Sequence, residues 1–135
     1  MTDGQGRKIM VVGRRIGAAM VLAFAAVGAP FPGLAADAMS KSALQGLAPG
    51  LARDFGPRGI TVNAIQPGPT DTDMNPADGP LAGQMHSVMA IEGHGTAEDV
   101  ASLALYLADA SARGITGAMH TIDGGFGAGS RRRSS

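Results

Sequence analysis

The sequence predicts an α/β domain built on a reduced parallel sheet of about three strands with flanking helices. Three observations carry this. Ile60-Thr61-Val62-Asn63-Ala64-Ile65 is a short β-branched run between Gly59 and Pro67-Gly68, the composition of a buried strand. A helical segment from Ser40 to Phe55 leads into it through Gly56-Pro57-Arg58-Gly59, and helix, tight turn and strand in that order make half of a parallel βαβ crossover. Near the N-terminus, Lys8–Gly13 reads as a second buried strand, followed by a long run of helix formers, Ile16–Ala29.

With 135 residues the chain has room for one core. We expect a single domain over 1–129 and a disordered basic tail over 130–135, where Arg131–Arg133 stand beside serines. Acidic and basic residues balance at 11 each, so no net field draws nucleic acid or an anionic membrane. The absence of cysteine excludes disulfides, cysteine-ligated zinc and thiol nucleophiles. The 21 glycines and single tyrosine predict a loop-rich, lightly packed chain.

Strand, glycine turn and helix over Lys8–Ala29 form a dinucleotide-binding opening. Backbone N–H groups at the start of such a helix face an anion, and Arg14 and Arg15 add phosphate contacts. A rival reading takes residues 1–36 as an export signal. It rests on the basic residues Arg7, Lys8, Arg14 and Arg15, an uncharged apolar run, and the small residues Gly33-Leu34-Ala35-Ala36. That run is too short to span a bilayer. The strand-like Lys8–Gly13 favours the first reading, and with it a cytoplasmic chain.

Further on, Pro49-Gly50 predicts a break near Ala48 in the Ser40–Phe55 helix. Leu81–Ile91 carries Met85, Val88 and Met89 at helical spacing but lacks a strong cap. Thr96 and Asp99 fit a capping box, and Val100, Leu103, Ala104 and Leu107 form one apolar stripe behind it. Tyr106 lies off that stripe. Ala118–Ile122 reads as the last strand, ended by Asp123-Gly124-Gly125. His86, His94 and His120 lack metal-ligand spacing, and Asp71 and Asp73 read as solvated loop carboxylates, so no metal site is expected.

Five pieces occur in a telling order: Ser40-Lys41-Ser42-Ala43-Leu44, Gly59–Ile65, Pro67-Gly68 followed by Thr72, Thr116-Gly117, and Ile122-Asp123-Gly124-Gly125. Over about the last two thirds of its length, the chain thus resembles the C-terminal half of a short-chain dehydrogenase/reductase. The resemblance implies a Rossmann-like fold, NAD or NADP as cofactor, and hydride transfer between carbonyl and alcohol. It makes Lys41 the remnant of the catalytic lysine. It places Gly13, Arg14, Arg15, Ile16, Gly17, Lys41, Pro67, Gly68, Thr70 and Thr72 on the cofactor side.

The departures from that family matter as much. Its G-x-x-x-G-x-G turn is reduced to Gly13-Arg14-Arg15-Ile16-Gly17, two residues short. Between Ala29 and Asp37 nothing corresponds to the family's middle section, which holds its Asn-Ala-Gly motif and its catalytic serine and asparagine. The family's tyrosine, four residues before the lysine, is Asp37, and the only tyrosine, Tyr106, lies in another helix. An ordinary aspartate is ionised at neutral pH and has no proton to give a forming alkoxide. As an i, i+4 pair in one helix, Asp37 and Lys41 read as a plain ion pair. The expectation is therefore an impaired or inactive oxidoreductase that binds NAD(P) weakly. Its partners would be a dinucleotide or small molecule, not nucleic acid or membrane, with a homo-oligomer possible. The alternatives are a non-catalytic nucleotide-binding or dimerisation module, of a branch associated with cyclic-di-GMP, or a decayed reading frame. In the family's 3-2-1-4-5-6 sheet the first and sixth strands are not neighbours, so Ile9–Val12 and Ile60–Ile65 must pair anew, pair between subunits or stay poorly ordered.

Overall fold

Val62, Asn63, Ala64 and Ile65 are all buried in β3 (Thr61–Pro67), which makes this strand the centre of the molecule. The computed structural model describes residues 8–13, 18–23, 35–73 and 75–128. Successive β3 side chains point to opposite faces, and each face meets its own helix. Ala64 packs with Ala48 and Leu44 of α1 (Ala35–Phe55) and with Met119. Ile65 packs with Ala104, Leu107, Val100 and Leu103 of α3 (Ala97–Ala108), with Ile115 and Ile122 behind. A strand covered on both faces reads as a near-continuous apolar run, which the buried Asn63 interrupts here.

Among the described residues the sheet has four strands in the order β1-β2-β3-β4. β4 (Met119–Ile122) runs parallel to β3 on one side. β2 (Ala18–Ala23) runs parallel to it on the other, and β1 (Lys8–Gly13) pairs antiparallel with β2. The α/β, Rossmann-like class holds, with three parallel strands and helices on both faces. Two details differ from the sequence reading. The sheet gains an antiparallel edge strand, and residues 18–23 are a strand rather than part of the predicted Ile16–Ala29 helix. A six-residue apolar run does not distinguish helix from buried strand by periodicity. Here the free edge of β3 supplies a pairing partner, and tertiary context overrides helix propensity. β1 and β3 are not neighbours, because β2 lies between them.

The break predicted at Pro49 is also absent: α1 runs unbroken from Ala35 to Phe55. The proline costs the Gln45 carbonyl its partner, but Gln45 and Pro49 are both exposed, so water can take that bond. Meanwhile Ala48 and Ala52 are buried, and Gly117, at φ 71°, passes close to Pro49 and Ala52. Helix α2 (Ala82–His86) is shorter than the Leu81–Ile91 pattern suggested and has no side-chain cap at its start. Met89, beyond its end, is buried, while Tyr106 on α3 is half exposed.

The capping box on α3 forms as read. The Thr96 hydroxyl accepts from the Asp99 N–H at 3.2 Å, and the Asp99 carboxylate accepts from the Thr96 N–H at 2.8 Å. The Thr96 backbone N–H, then its hydroxyl, hold the Asp99 carboxyl below the usual aspartate range. A group whose folded pKa is depressed stabilises fully above its unfolded value and loses that contribution as pH falls through the folded one. Thr96→Ala is expected to cost about 1 kcal/mol at neutral pH. Urea titrations at neutral pH and near pH 3 should show the gap between variant and parent narrowing in acid. A gap that stays constant would mean that the Thr96 hydroxyl does not help to hold the carboxylate ionised.

Candidate functional site

The carboxyl ends of β3 and β4 lie side by side, the edge where open α/β sheets bind ligands. Pro67 ends β3, and the Gly68 N–H donates to the Ile122 carbonyl at 2.9 Å. The approach is so close that a Cβ on Gly68 would come within 2.4 Å of the Asp123 Cβ. The Asp123 carboxylate in turn accepts from the N–H groups of Gly125 and Gly127, both at 2.8 Å. Thr70 Oγ1 donates to the Gly68 carbonyl at 2.9 Å. Pro69 and Asp71 then clamp Gly95 between them: the Gly95 N–H donates to the Pro69 carbonyl and the Asp71 N–H to the Gly95 carbonyl, both at 2.9 Å.

A cavity of about 330 Å³ opens at this edge, walled by Pro69, Met89, Ile91, His94 and Ile122, with Asp99 at one side. Its rim is fixed by the Gly124 carbonyl, which accepts from the N–H groups of both Ala90 and Ile91. Gly124 and Gly125 take φ 61° and 78°, and a Cβ on Gly124 would meet the Ile91 backbone carbonyl at 2.9 Å, so glycine is required there on both counts.

The residues expected on the cofactor side divide accordingly. Pro67, Gly68 and Thr70 come together at the carboxyl edge. Thr72 is exposed, and its hydroxyl accepts from the Asn75 N–H at 3.2 Å, closing a local turn. Asp37 and Lys41 both lie in α1, one turn apart. Gly13 ends β1; Arg14, Arg15, Ile16 and Gly17 fall outside the described residues, as do the tail residues from 129 onward. Asp71 accepts from the Ala77 N–H at 2.9 Å. Among the described residues no three histidine or acidic side chains stand close enough to hold a metal.

Two features escaped the sequence. Asp123 organises the turn after β4, which an Asp followed by two glycines could have signalled. His86 and His94 meet at 2.7 Å, a tertiary contact that their spacing does not encode.

The family model described as enoyl-(acyl carrier protein) reductase matches residues 5–127. The chain belongs to the short-chain dehydrogenase/reductase family. It is 55% identical over 124 residues to the cyclic-di-GMP-binding biofilm dispersal mediator protein of Escherichia coli, covering 92% of this chain and 48% of that protein. Among solved structures it is similar to BdcA in complex with NADPH, at 52% identity and a TM-score of 0.77, covering 86% of this chain and 49% of the other. A Burkholderia cenocepacia short-chain dehydrogenase in complex with NADP matches at 46% identity and a TM-score of 0.74, covering 80% of this chain and 46% of that one. The chain thus spans about half the length of these relatives.

A dinucleotide does not fit all of what remains. Its pyrophosphate sits at a helix N-terminus that directly follows the glycine turn. Here the element following Gly17 is β2, a strand antiparallel to β1. Among the described residues, no helix directly follows β1.

Proposed function

We propose that this chain is a non-catalytic relative of NAD(P)-dependent short-chain oxidoreductases, keeping the frame of the cofactor's nicotinamide side and binding NAD(P) only weakly. The observation that carries this reading is the antiparallel β1–β2 pair where a dinucleotide-binding opening needs a helix. Asp37 in place of the proton-donating tyrosine supports it independently, as does the lack of the family's serine and asparagine. Lys41, Pro67, Gly68, Thr70 and Thr72 remain the positions through which a ligand fragment would be held, with Gly13–Gly17 contributing little.

The test is oxidation of NADH and NADPH with a panel of ketones and aldehydes. We expect the rate to stay at the protein-free background. A positioned general acid is worth roughly 10²–10⁴-fold, yet Asp37→Tyr alone should not restore turnover, because its partner side chains are missing. Turnover by the unmodified chain that disappears in Lys41→Ala would overturn the proposal.

A second reading has one observation behind it, the 55% identity to a protein named for binding cyclic-di-GMP. Saturable binding of that dinucleotide, measured by calorimetry beside NADPH, would favour it. Both readings place the chain in the cytoplasm, without nucleic-acid or membrane partners. Among the described residues no helix is long and apolar enough to cross a membrane. An exported chain would instead carry a mature N-terminus near Ala36. The outer edges of β1 and β4 are unpaired among the described residues and offer a route to homo-oligomers, which sedimentation velocity would detect.

A further inference from the structure

His86 ends α2, and His94 lies in the loop that leads to α3. Both rings are half-buried. They meet nearly edge to face, with centroids 4.9 Å apart and planes at 76°. Nε2 of His86 and Nδ1 of His94 are 2.7 Å apart. At that distance one nitrogen carries the hydrogen and the other offers a lone pair. The pair tolerates one added proton, since a doubly protonated ring still donates to a neutral one. It does not tolerate two, because both nitrogens would then be donors on like-charged rings. The other nitrogen of His94, Nε2, is buried with no partner among the described residues. A charge on that ring therefore gains no hydrogen bond there in exchange for lost hydration.

The charged neighbours do not undo this. No Asp, Glu, Lys or Arg occurs from 79 to 91, so α2 and its flanks bring none. On the facing side, Glu92, Asp99 and Asp123 share the cavity wall with His94. Asp99 is engaged by Thr96, and Asp123 by the N–H groups of Gly125 and Gly127. Glu92 lies on the same cavity wall, and it does not remove the opposition of two N–H donors.

The contact matters because α2 is weak by itself. It has five residues and no side-chain cap at its start, far short of what a helix needs to persist alone. We propose that the His86–His94 pair is a proton-sensitive latch: it pins α2 to the loop before α3 while the pair holds at most one extra proton, and the second proton releases it. Imidazole gains its proton in the range from about pH 5 to 8, so release falls in mildly acidic solution. The inference does not depend on the proposed function, because it concerns the order of one segment and not ligand binding.

The test is amide hydrogen exchange read by mass spectrometry on the untagged full chain, in EDTA, at pH 7.5 and 5.5. Exchange times are rescaled for the intrinsic chemical rate. Residues 82–95 are compared with 100–108 of α3, whose capping carboxylate stays ionised at both pH values because Thr96 holds its pKa low. Relative exchange over 82–95 should rise roughly fivefold at the lower pH while the reference stays within about twofold. His86→Gln, whose amide can donate to Nδ1 of His94 and does not titrate, should lose most of that rise. No rise in the unmodified chain, or an equal rise in the variant, overturns the latch. If the variant does not fold, nitrogen-15 spectra of the histidine rings in the unmodified chain decide the matter. A coupled pair titrates in two separated steps, and two independent curves at a common midpoint reject the proposal.

Discussion

Asn63→Leu should strongly destabilise the chain. Asn63 is 1% exposed, in the middle of β3. Its side-chain amide donates to the Ile115 carbonyl at 2.7 Å, and its oxygen accepts from the Ala118 N–H at 3.3 Å and faces His120 Nε2 at 3.4 Å. Together with the Thr116 hydroxyl, which accepts from the Val62 N–H at 3.0 Å, it staples β3 to the loop that delivers β4. Leucine matches the volume but leaves the Ile115 carbonyl and the Ala118 N–H without these partners. Each such buried group costs about 1–3 kcal/mol, so we expect a loss of roughly 2–4 kcal/mol. That is a substantial part of the stability of any small domain. Urea unfolding followed by far-ultraviolet circular dichroism should show a lower midpoint with an unchanged slope. An unchanged midpoint would mean that the staple is replaceable by solvent.

Gly68→Ala should be comparably severe for a different reason. The added methyl would sit 2.4 Å from the Asp123 Cβ and 2.5 Å from its Cα, so backbone rather than a flexible side-chain tip must move. Forced repacking of this kind costs about 1–3 kcal/mol, occasionally more. Here it also pulls apart the loops after β3 and β4, because the Gly68 N–H to Ile122 carbonyl bond lies at the same contact. Gly46→Ala is the matched control. That glycine is exposed in α1 with nothing within 4 Å of a new Cβ, and it should gain roughly 0.5–1 kcal/mol. Thermal melts of the two variants should therefore move in opposite directions. A Gly68→Ala protein as stable as its parent would show that the two loops do not touch.

What the sequence made legible follows from how local each cause is. The strand at β3 could be read because its β-branched run and its glycine and proline borders are contiguous. The α3 cap could be read because Thr96 and Asp99 satisfy each other within one turn. The unbroken α1 could not, because what offsets Pro49 is the packing of Ala48 and Ala52 and the approach of Gly117, 65 residues past Ala52. Residues 18–23 were read as helix because their composition allows either form, and the decision rests with the edge of β3, about 40 residues away. At the site, Pro67 and Gly68 were visible as a family motif. The reason for the glycine, its contact with Asp123, was visible only in three dimensions. The histidine pair gave no sign at all, since seven residues of loop separate its members.

On the proposed reading, the cofactor-binding half of the fold no longer holds a dinucleotide tightly. The most direct measurement is titration of the chain with NADPH and NADH, followed by nicotinamide fluorescence, alongside circular dichroism to establish that the chain is folded. We expect no saturation below about 1 mM, an interaction worth less than ~4 kcal/mol. Saturable binding in the micromolar range by the folded chain would contradict it, and would mean that the residues around Gly13–Gly17 build a phosphate site without the helix that the fold normally supplies.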